Sequence, residues 1–135
     1  MENQDRQKTK NHSLTFEFIP YEQALALKVQ GFDEPCLAWY QVGGSGLRPN
    51  ATKVTIGTAH TNSNSDMVSA PLYQQAFRWF RDRELYQEIQ VDTTTYVKFT
   101  YRIVNSFGAM VIAEHLYKTY EEAQLECLKY LITHG

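Results

Sequence analysis

One helix-start pattern occurs three times in this chain, and it constrains the fold more strongly than any other feature of the sequence. Each copy has a tyrosine, two residues drawn from Glu and Gln, and then an alanine, at residues 21–24, 73–76 and 120–123. A tyrosine and an alanine three positions apart lie on one face of a helix, and the small alanine lets that face approach its support closely. The pattern therefore predicts three helices that pack against a sheet.

Start and stop signals agree with these three helices. Pro20 and Pro71 stand where a first helical turn tolerates proline, and Thr119 with Glu122 matches a capping box. Gly31 is a suitable end for the first helix. Helical spacing predicts a buried stripe on the second helix and another on the third. These stripes are Tyr73, Ala76, Phe77 and Phe80, and Tyr120, Ala123, Cys127, Leu128 and Leu131.

Strand signals fill the intervals between the helices. Apolar and aromatic residues predict strands over 36–42, 53–59, 86–91, 97–103 and 109–115. Strict alternation makes 97–103 the clearest half-buried strand, and residues 105–108 predict the hairpin turn after it. A short alternation at 14–18 predicts one more strand ahead of the first helix.

These elements predict an α+β fold, in which an antiparallel sheet has about three helices packed on one face. The recurring start also suggests a pseudo-repeat of two helix-plus-hairpin units, each about 50 residues long. Coincidence among common helix-start residues is the alternative. The length of 135 residues fits one domain. Because Met1 is the only apolar residue in 1–13, we expect a disordered tail there and a single domain at 14–135.

Composition restricts the partners and the compartment. The formal net charge is −2, which argues against a general polyanion binder but allows a local basic patch. The N-terminal residues lack the apolar core of a signal peptide, and the chain has no apolar run of about 18 residues. We therefore expect a cytoplasmic protein without membrane contact. A cytoplasmic setting disfavours a disulfide, so Cys36 and Cys127 are expected to be buried free thiols.

No arrangement of residues indicates catalysis, a metal or a cofactor, so we expect none of the three. The four histidines, at 12, 60, 115 and 134, have no zinc-ligand spacing. The glycine-rich residues 43–49 lack the pattern of a phosphate-binding loop, and a flexible hairpin loop is expected there. A small hydrolase that uses His60 and Asp66 is a third hypothesis, after the two binding functions described below.

The candidate site is a basic and aromatic patch centred on the second helix. The candidate partner-binding residues are Gln74, Arg78, Trp79, Arg81, Arg83, Lys98 and Arg102. Gln74, Arg78 and Arg81 share the helix face opposite the buried stripe, and Lys98 and Arg102 project from the exposed side of a strand. Arginine beside aromatic residues suits RNA, a nucleotide or an acidic protein partner. An ordinary solvated helix face, with nearby acids reducing its charge, is the alternative.

Three stretches of the chain carry a resemblance to a known group of proteins. They are YEQALALK with GFDEPC at 21–36, APLYQQAFRWFR at 70–81, and TYEEA at 119–123 followed by Leu125, Cys127-Leu128 and Leu131-Ile132. These stretches resemble a family of small accessory proteins from phages and prophages of gut anaerobes, across nearly the whole predicted domain. No catalytic residues are assigned in that family, so none are carried over.

The resemblance implies a phage accessory protein that acts in the host bacterial cytoplasm. Small phage proteins without enzymatic signatures often bind host machinery, and anti-CRISPR proteins are one such class, which occupies a nuclease or its guide RNA. We therefore expect a non-enzymatic inhibitor of a host defence complex, an anti-CRISPR or similar protein that binds a protein or ribonucleoprotein. The alternative is an RNA- or nucleotide-binding module, or a sponge for signalling nucleotides.

Overall fold

The computed structural model describes residues 14–41, 55–63 and 66–135, which form an α+β fold. Its helices are α1 (Tyr21–Val29), α2 (Tyr73–Arg81) and α3 (Tyr120–His134). Its strands are β1 (Cys36–Gln41), β2 (Thr55–His60), β3 (Met67–Ser69), β4 (Leu85–Asp92), β5 (Lys98–Asn105) and β6 (Met110–Ile112). The predicted fold class and the three helices are confirmed. The predicted tail at 1–13 and the predicted loop at 43–49 lie outside the described residues.

The strands form two antiparallel sheets rather than the one sheet that the sequence predicts. β1 lies between β2 and β3 in the first sheet, and β5 lies between β4 and β6 in the second. Every pairing of these six strands joins strands of the same sheet, so no ladder joins the two sheets within the described segments. The prediction of a single sheet was wrong because alternation shows which face of a strand is buried, whereas it does not show which edges pair.

The two halves of the fold share an order of elements but not an order of strands. In the described residues three strands follow α1, and three strands follow α2. The first of the three strands is central in one sheet, and the second is central in the other. The two halves therefore repeat the order of elements along the chain, but their strands are arranged differently within the two sheets. Ala24, Ala76 and Ala123 are nevertheless all fully buried, as the shared helix start predicts.

The inner sides of α2 and α3 supply much of the core. The predicted stripe of α2 is buried at Tyr73, Ala76, Phe77 and Phe80, and that of α3 at Ala123, Cys127, Leu128 and Leu131. Tyr120 is 44% exposed, so its predicted burial was wrong. It is the first residue of α3, and its ring meets that of Phe99 edge-on. Cys36 and Cys127 are buried free thiols, as predicted.

Two helix ends form as their residue types predict. The Thr119 hydroxyl oxygen accepts a hydrogen bond from the backbone N–H of Glu122 at 3.1 Å, which caps the N-terminus of α3. After α1, Gly31 adopts a φ of +97°, a left-handed conformation that glycine reaches without the steric cost of a side chain. Thr119 thus marks the start of α3, and Gly31 marks the end of α1.

Residues 14–18 do not form the predicted strand. Leu14–Glu17 is a single 3-10 turn, and Phe18 makes one isolated bridge to Leu72. The side chains of Leu14 and Phe16 are exposed rather than packed. An alternating segment becomes a strand only where a sheet offers it an edge and a buried face, and this segment pairs at one residue alone.

Candidate partner-binding surface

The solvent side of α2 carries three of the polar residues predicted to contact a partner. Gln74, Arg78 and Arg81 are all exposed. They share one side of the helix because positions i, i+4 and i+7 recur at nearly the same angle around its axis. We call these three residues the α2 face. Its exposure confirms that the helix turns its apolar stripe inward and its polar residues outward.

Arg78 is held in place by Glu34, which lies just ahead of β1. Its guanidinium donates to Glu34 Oε1 at 2.8 Å, and the Gln75 amide donates to the same oxygen at 3.2 Å. Gln75 also donates to the carbonyl of Pro35 at 3.0 Å. The Arg78 side chain is 56% exposed, so water screens the ion pair, which contributes roughly 0–1 kcal/mol to stability. The main effect of Glu34 is to fix Arg78 and partly balance its charge.

Arg81 has no acid beside it. It makes no hydrogen bond or ion pair within the segments that the structure describes. A groove of about 470 Å³ lies next to it, lined by Phe18, Pro35, Leu37, Leu72, Gln74, Gln75, Arg78 and Arg81. Leu37 is 56% exposed and Leu72 is 39% exposed. The groove therefore combines exposed apolar side chains with a guanidinium that makes no ion pair in the described part of the chain.

A second, smaller cavity lies where α2, α3 and β4 meet. It has a volume of about 200 Å³ and is lined by Gln74, Phe77, Arg81, Gln87, Ile89, Tyr120 and Gln124. The Oε1 atom of Gln87 is buried and has no hydrogen-bond partner among the described residues. Arg81 and Gln74 line both cavities. The α2 face therefore lies between the larger, apolar groove and the smaller cavity, which is lined by several amide side chains.

Trp79 is not part of the exposed surface, which corrects its predicted role in recognition. It is only 6% exposed, because it lies one turn after Ala76 on the inner side of α2. Its ring packs edge-on against Phe32 at 5.8 Å and Phe80 at 5.0 Å between ring centroids. The guanidinium carbon of Arg83 lies 3.4 Å from the Trp79 ring centroid, and Arg83 also donates to the Trp79 carbonyl at 3.1 Å. Arg83 therefore covers Trp79, and both residues stabilise the fold.

Lys98 and Arg102 lie on a different surface from the α2 face. They alternate along β5 with Tyr101 and Ile103, which are buried, so they point to the opposite side of the sheet. The Nε atom of Arg102 donates to Glu88 Oε2 at 2.9 Å, and a second guanidinium nitrogen reaches the same oxygen. This hydrogen bonding from Arg102, with help from Gln90, lowers the pKa of the Glu88 carboxyl. The predicted partner-binding residues therefore lie on two separate faces, the second helix and the exposed side of the sheet, and which of the two contacts a partner stays a prediction.

The two cysteines are poorly suited to act as nucleophiles. Burial raises the pKa of the Cys36 thiol to about 12, with Glu34 adding to the shift, and burial alone raises that of Cys127 to about 12. Almost no thiolate is present on either at neutral pH. Asp66 is exposed ahead of β3, and the side chain of His60 lies outside the described residues, so the hydrolase hypothesis stays a prediction. Within the described segments no group of His, Cys, Asp and Glu is suited to hold a metal ion.

Sequence reasoning missed three residues that the structure adds to this surface. Glu34 stands beside a proline in the sequence, which is typical of a turn. In the folded chain its carboxylate contacts Arg78, 44 positions away. Leu37 and Leu72 read as ordinary apolar residues near element ends, and their exposure appears only in the folded chain. No local signal identifies them, because their role depends on the approach of distant segments.

No protein-family model matches this chain, and comparisons with curated proteins and with solved structures find no similar protein. Within the part of the chain that the structure describes, none of the helices is long and apolar enough to cross a bilayer. A function for this chain is therefore proposed from its surface together with the sequence resemblance.

Proposed function

We propose that this chain is a phage-encoded, non-enzymatic binding protein that inhibits a host defence complex, an anti-CRISPR or similar protein. It acts in the bacterial cytoplasm by occupying a protein or ribonucleoprotein. One observation carries the proposal: Arg81 makes no ion pair with any described residue and stands beside a groove in which Leu37 and Leu72 are exposed. The phage origin and the defence target rest on the sequence resemblance at residues 21–36, 70–81 and 119–132.

The chemistry of the α2 face favours an acidic segment of a protein partner. A guanidinium binds a carboxylate or phosphate through two parallel hydrogen bonds, and Arg81 has its donors available. Exposed apolar side chains beside such a cation provide the packed, water-excluding contact that concentrates binding energy in protein interfaces. A segment with an acid next to apolar residues would use Arg81 and the groove together, whereas a bare phosphate backbone would use only the cations.

A second candidate function is binding of RNA or a nucleotide, including a role as a nucleotide sponge. The smaller cavity supports it, because Gln74, Gln87 and Gln124 offer amide groups next to Arg81. Its volume of about 200 Å³ lies below the roughly 300–1,000 Å³ of sites for drug-sized ligands. It would therefore take one unstacked base rather than a whole nucleotide, with a phosphate near Arg81.

An affinity capture from infected host cells tests the proposal. The full chain, an Arg78→Glu/Arg81→Glu variant and a Lys129→Glu control are each used as bait, with and without nuclease treatment. Lys129 is a suitable control because it is exposed on α3 and pairs only with Glu126 in the same helix. Captured complexes are identified, purified and assayed for nuclease activity with and without the chain.

The proposal predicts a defence complex that the wild type and the Lys129→Glu variant both bind and inhibit, and that the double variant does not. Capture that survives nuclease treatment indicates a protein contact, and loss of capture after nuclease treatment indicates the RNA alternative. If the double variant binds and inhibits the complex as well as the wild type, the α2 face is not the contact surface.

A further inference from the structure

Among the residues that the structure describes, no layer packs on one face of the second sheet. The Tyr101 ring lies 6.4 Å from that of Tyr130 on α3, so the buried residues of β5 face the helices. Alternation places their neighbours on the other side. This open sheet face consists of Tyr86, Glu88, Gln90 and Asp92 on β4, Lys98, Thr100, Arg102 and Val104 on β5, and Met110 and Ile112 on β6.

The apolar residues of the open sheet face are contiguous. The strand register places Tyr86 opposite Val104, and Val104 opposite Met110, which makes one row across the three strands. Ile112 lies in the next row, beside Arg102. Tyr86 is 45% exposed, Met110 51% and Ile112 60%. A cluster of this kind marks an interaction site more often than the same residues scattered singly.

The charges of this face are ordered by strand. β4 carries the acids Glu88 and Asp92, and β5 carries the bases Arg102 and Lys98. The register sets Glu88 opposite Arg102 and Asp92 opposite Lys98. An acidic strand therefore lies directly beside a basic strand, with the apolar row at one end of both.

We propose that the open sheet face binds a second copy of this chain and forms a dimer whose two-fold axis runs parallel to the strands, midway between β4 and β5. A half-turn about this axis lays β4 of each copy over β5 of the other and keeps every residue at its own level along the strands. Glu88 then faces Arg102 of the second copy, Asp92 faces its Lys98, and Tyr86 faces its Val104. The pattern is complementary to itself in charge and in apolar character.

The charge order selects this axis among the simple alternatives. An axis that passes along β5 would set Arg102 opposite Arg102 of the second copy, and like charges across an interface oppose association. An axis perpendicular to the strands would lay β4 over β4, so that acidic strand faces acidic strand. Of these three, only the axis between β4 and β5 pairs every charge of this face with its opposite, and it stacks Tyr86 on Val104 of the second copy while β6 lies beyond the edge of the opposing β4.

The dimer is expected to be weak and to leave the α2 face free. Only β4 and β5 face one another in this arrangement, and two strands of eight residues cover roughly 260 Å² of sheet plane at the usual strand spacings, which is small for a stable interface. The dimer should therefore dissociate on dilution. The helices lie on the outer sides of the paired sheets, so each dimer presents two copies of the α2 face and can bind a repeated target with higher avidity.

Sedimentation velocity of the full chain over a wide range of concentrations tests this dimer. A concentration-dependent dimer is expected for the wild type. Glu88→Arg places cations opposite one another and should weaken the dimer at least tenfold, and the swap Glu88→Arg/Arg102→Glu should restore it. Asp92→Lys and Asp92→Lys/Lys98→Asp provide the same pair of measurements at the next position. Val29→Arg, at an 80% exposed site on α1, is the control and should have no effect.

Thermal unfolding of each variant shows which of them are folded. Recovery of the dimer is judged on the charge swaps that are folded, and at least one of the two must be. Weakening by a single reversal and recovery by its swap support the two-fold arrangement. A wild type that is monomeric at every concentration, or a dimer that both single reversals leave unchanged, overturns it. These results do not depend on the host target, so they are separate from the test of the α2 face.

Discussion

Two surfaces of this protein carry exposed cations, and they differ in how the charges are balanced. On the α2 face, Arg78 has Glu34 beside it while Arg81 has no acid in the described structure. On the open sheet face, Arg102 and Lys98 each lie opposite an acid on β4. This difference shows that an exposed arginine does not by itself indicate binding of a different molecule. An unbalanced cation favours an anion from another molecule, whereas ordered opposite charges favour a copy of the same surface.

The largest expected effect is a loss of stability on changing Trp79, which is buried and lies on neither surface. Trp79→Ala should lower the free energy of unfolding by about 3–5 kcal/mol, because it leaves a cavity between Phe32 and Phe80. Urea unfolding followed by circular dichroism measures this loss. Trp79→Phe, which keeps an aromatic ring, should lose less stability and should bind the partner like the wild type. Weaker binding by a stably folded Trp79→Phe variant would return Trp79 to the contact surface.

The next effect separates the two surfaces directly. Arg78→Glu/Arg81→Glu should weaken binding to the host complex at least tenfold, which corresponds to about 1.4 kcal/mol. Lys98→Glu/Arg102→Glu makes the same change of charge on the open sheet face and should leave the binding affinity of a single site unchanged. Titration calorimetry at concentrations where the chain is monomeric measures both affinities.

Arg83→Ala is a further control for this measurement, since Arg83 is committed to the ring and carbonyl of Trp79. It should cost about 0.5–1 kcal/mol of stability and leave the affinity unchanged. Equal losses of affinity from the helix and sheet reversals would show that overall charge, rather than the α2 face, controls binding.

A smaller gain of affinity is expected when the acid of the α2 face is neutralised. Glu34→Gln removes the carboxylate beside Arg78, so the guanidinium no longer has to leave an ion pair to meet an anionic partner. An exposed pair of this kind is worth roughly 0.2–1 kcal/mol, so binding should tighten up to about fivefold. The same titration measures this gain, and Glu84→Gln is a matched control. Weaker binding by Glu34→Gln would indicate that the partner uses Arg78 only when Glu34 holds it.

The smallest effect is the pH dependence of the open sheet face. Hydrogen bonds from Arg102 and Gln90 lower the pKa of Glu88 from its ordinary value of 4.5. The stabilisation is therefore present above that ordinary value and is lost as the pH falls through the lowered pKa of the folded state. Carboxyl NMR titration of dilute protein should show the Glu88 pKa rising towards 4.5 in Arg102→Ala. A Glu88 pKa that stays the same in this variant would remove Arg102 as its cause.

Much of the local structure could be predicted from the sequence, whereas the pairing of strands could not. The stripe at Tyr73, Ala76, Phe77 and Phe80 and the cap at Thr119 depend on residues within two helical turns, and both are confirmed. β3 has only three residues, too few for a period to show. It forms because the unused edge of β1 accepts it. The division into two sheets has the same cause, since edges are chosen by the packing of the whole chain.

The candidate site divides in the same way. The sequence by itself determined that Gln74, Arg78 and Arg81 share an outward face, because helix geometry sets the angle between neighbouring side chains. Only the tertiary structure decided that Trp79 is covered by Arg83, that Glu34 meets Arg78 from 44 positions away, and that Arg102 belongs to another surface. These outcomes depend on contacts between segments far apart in the chain, which no local pattern of residues encodes.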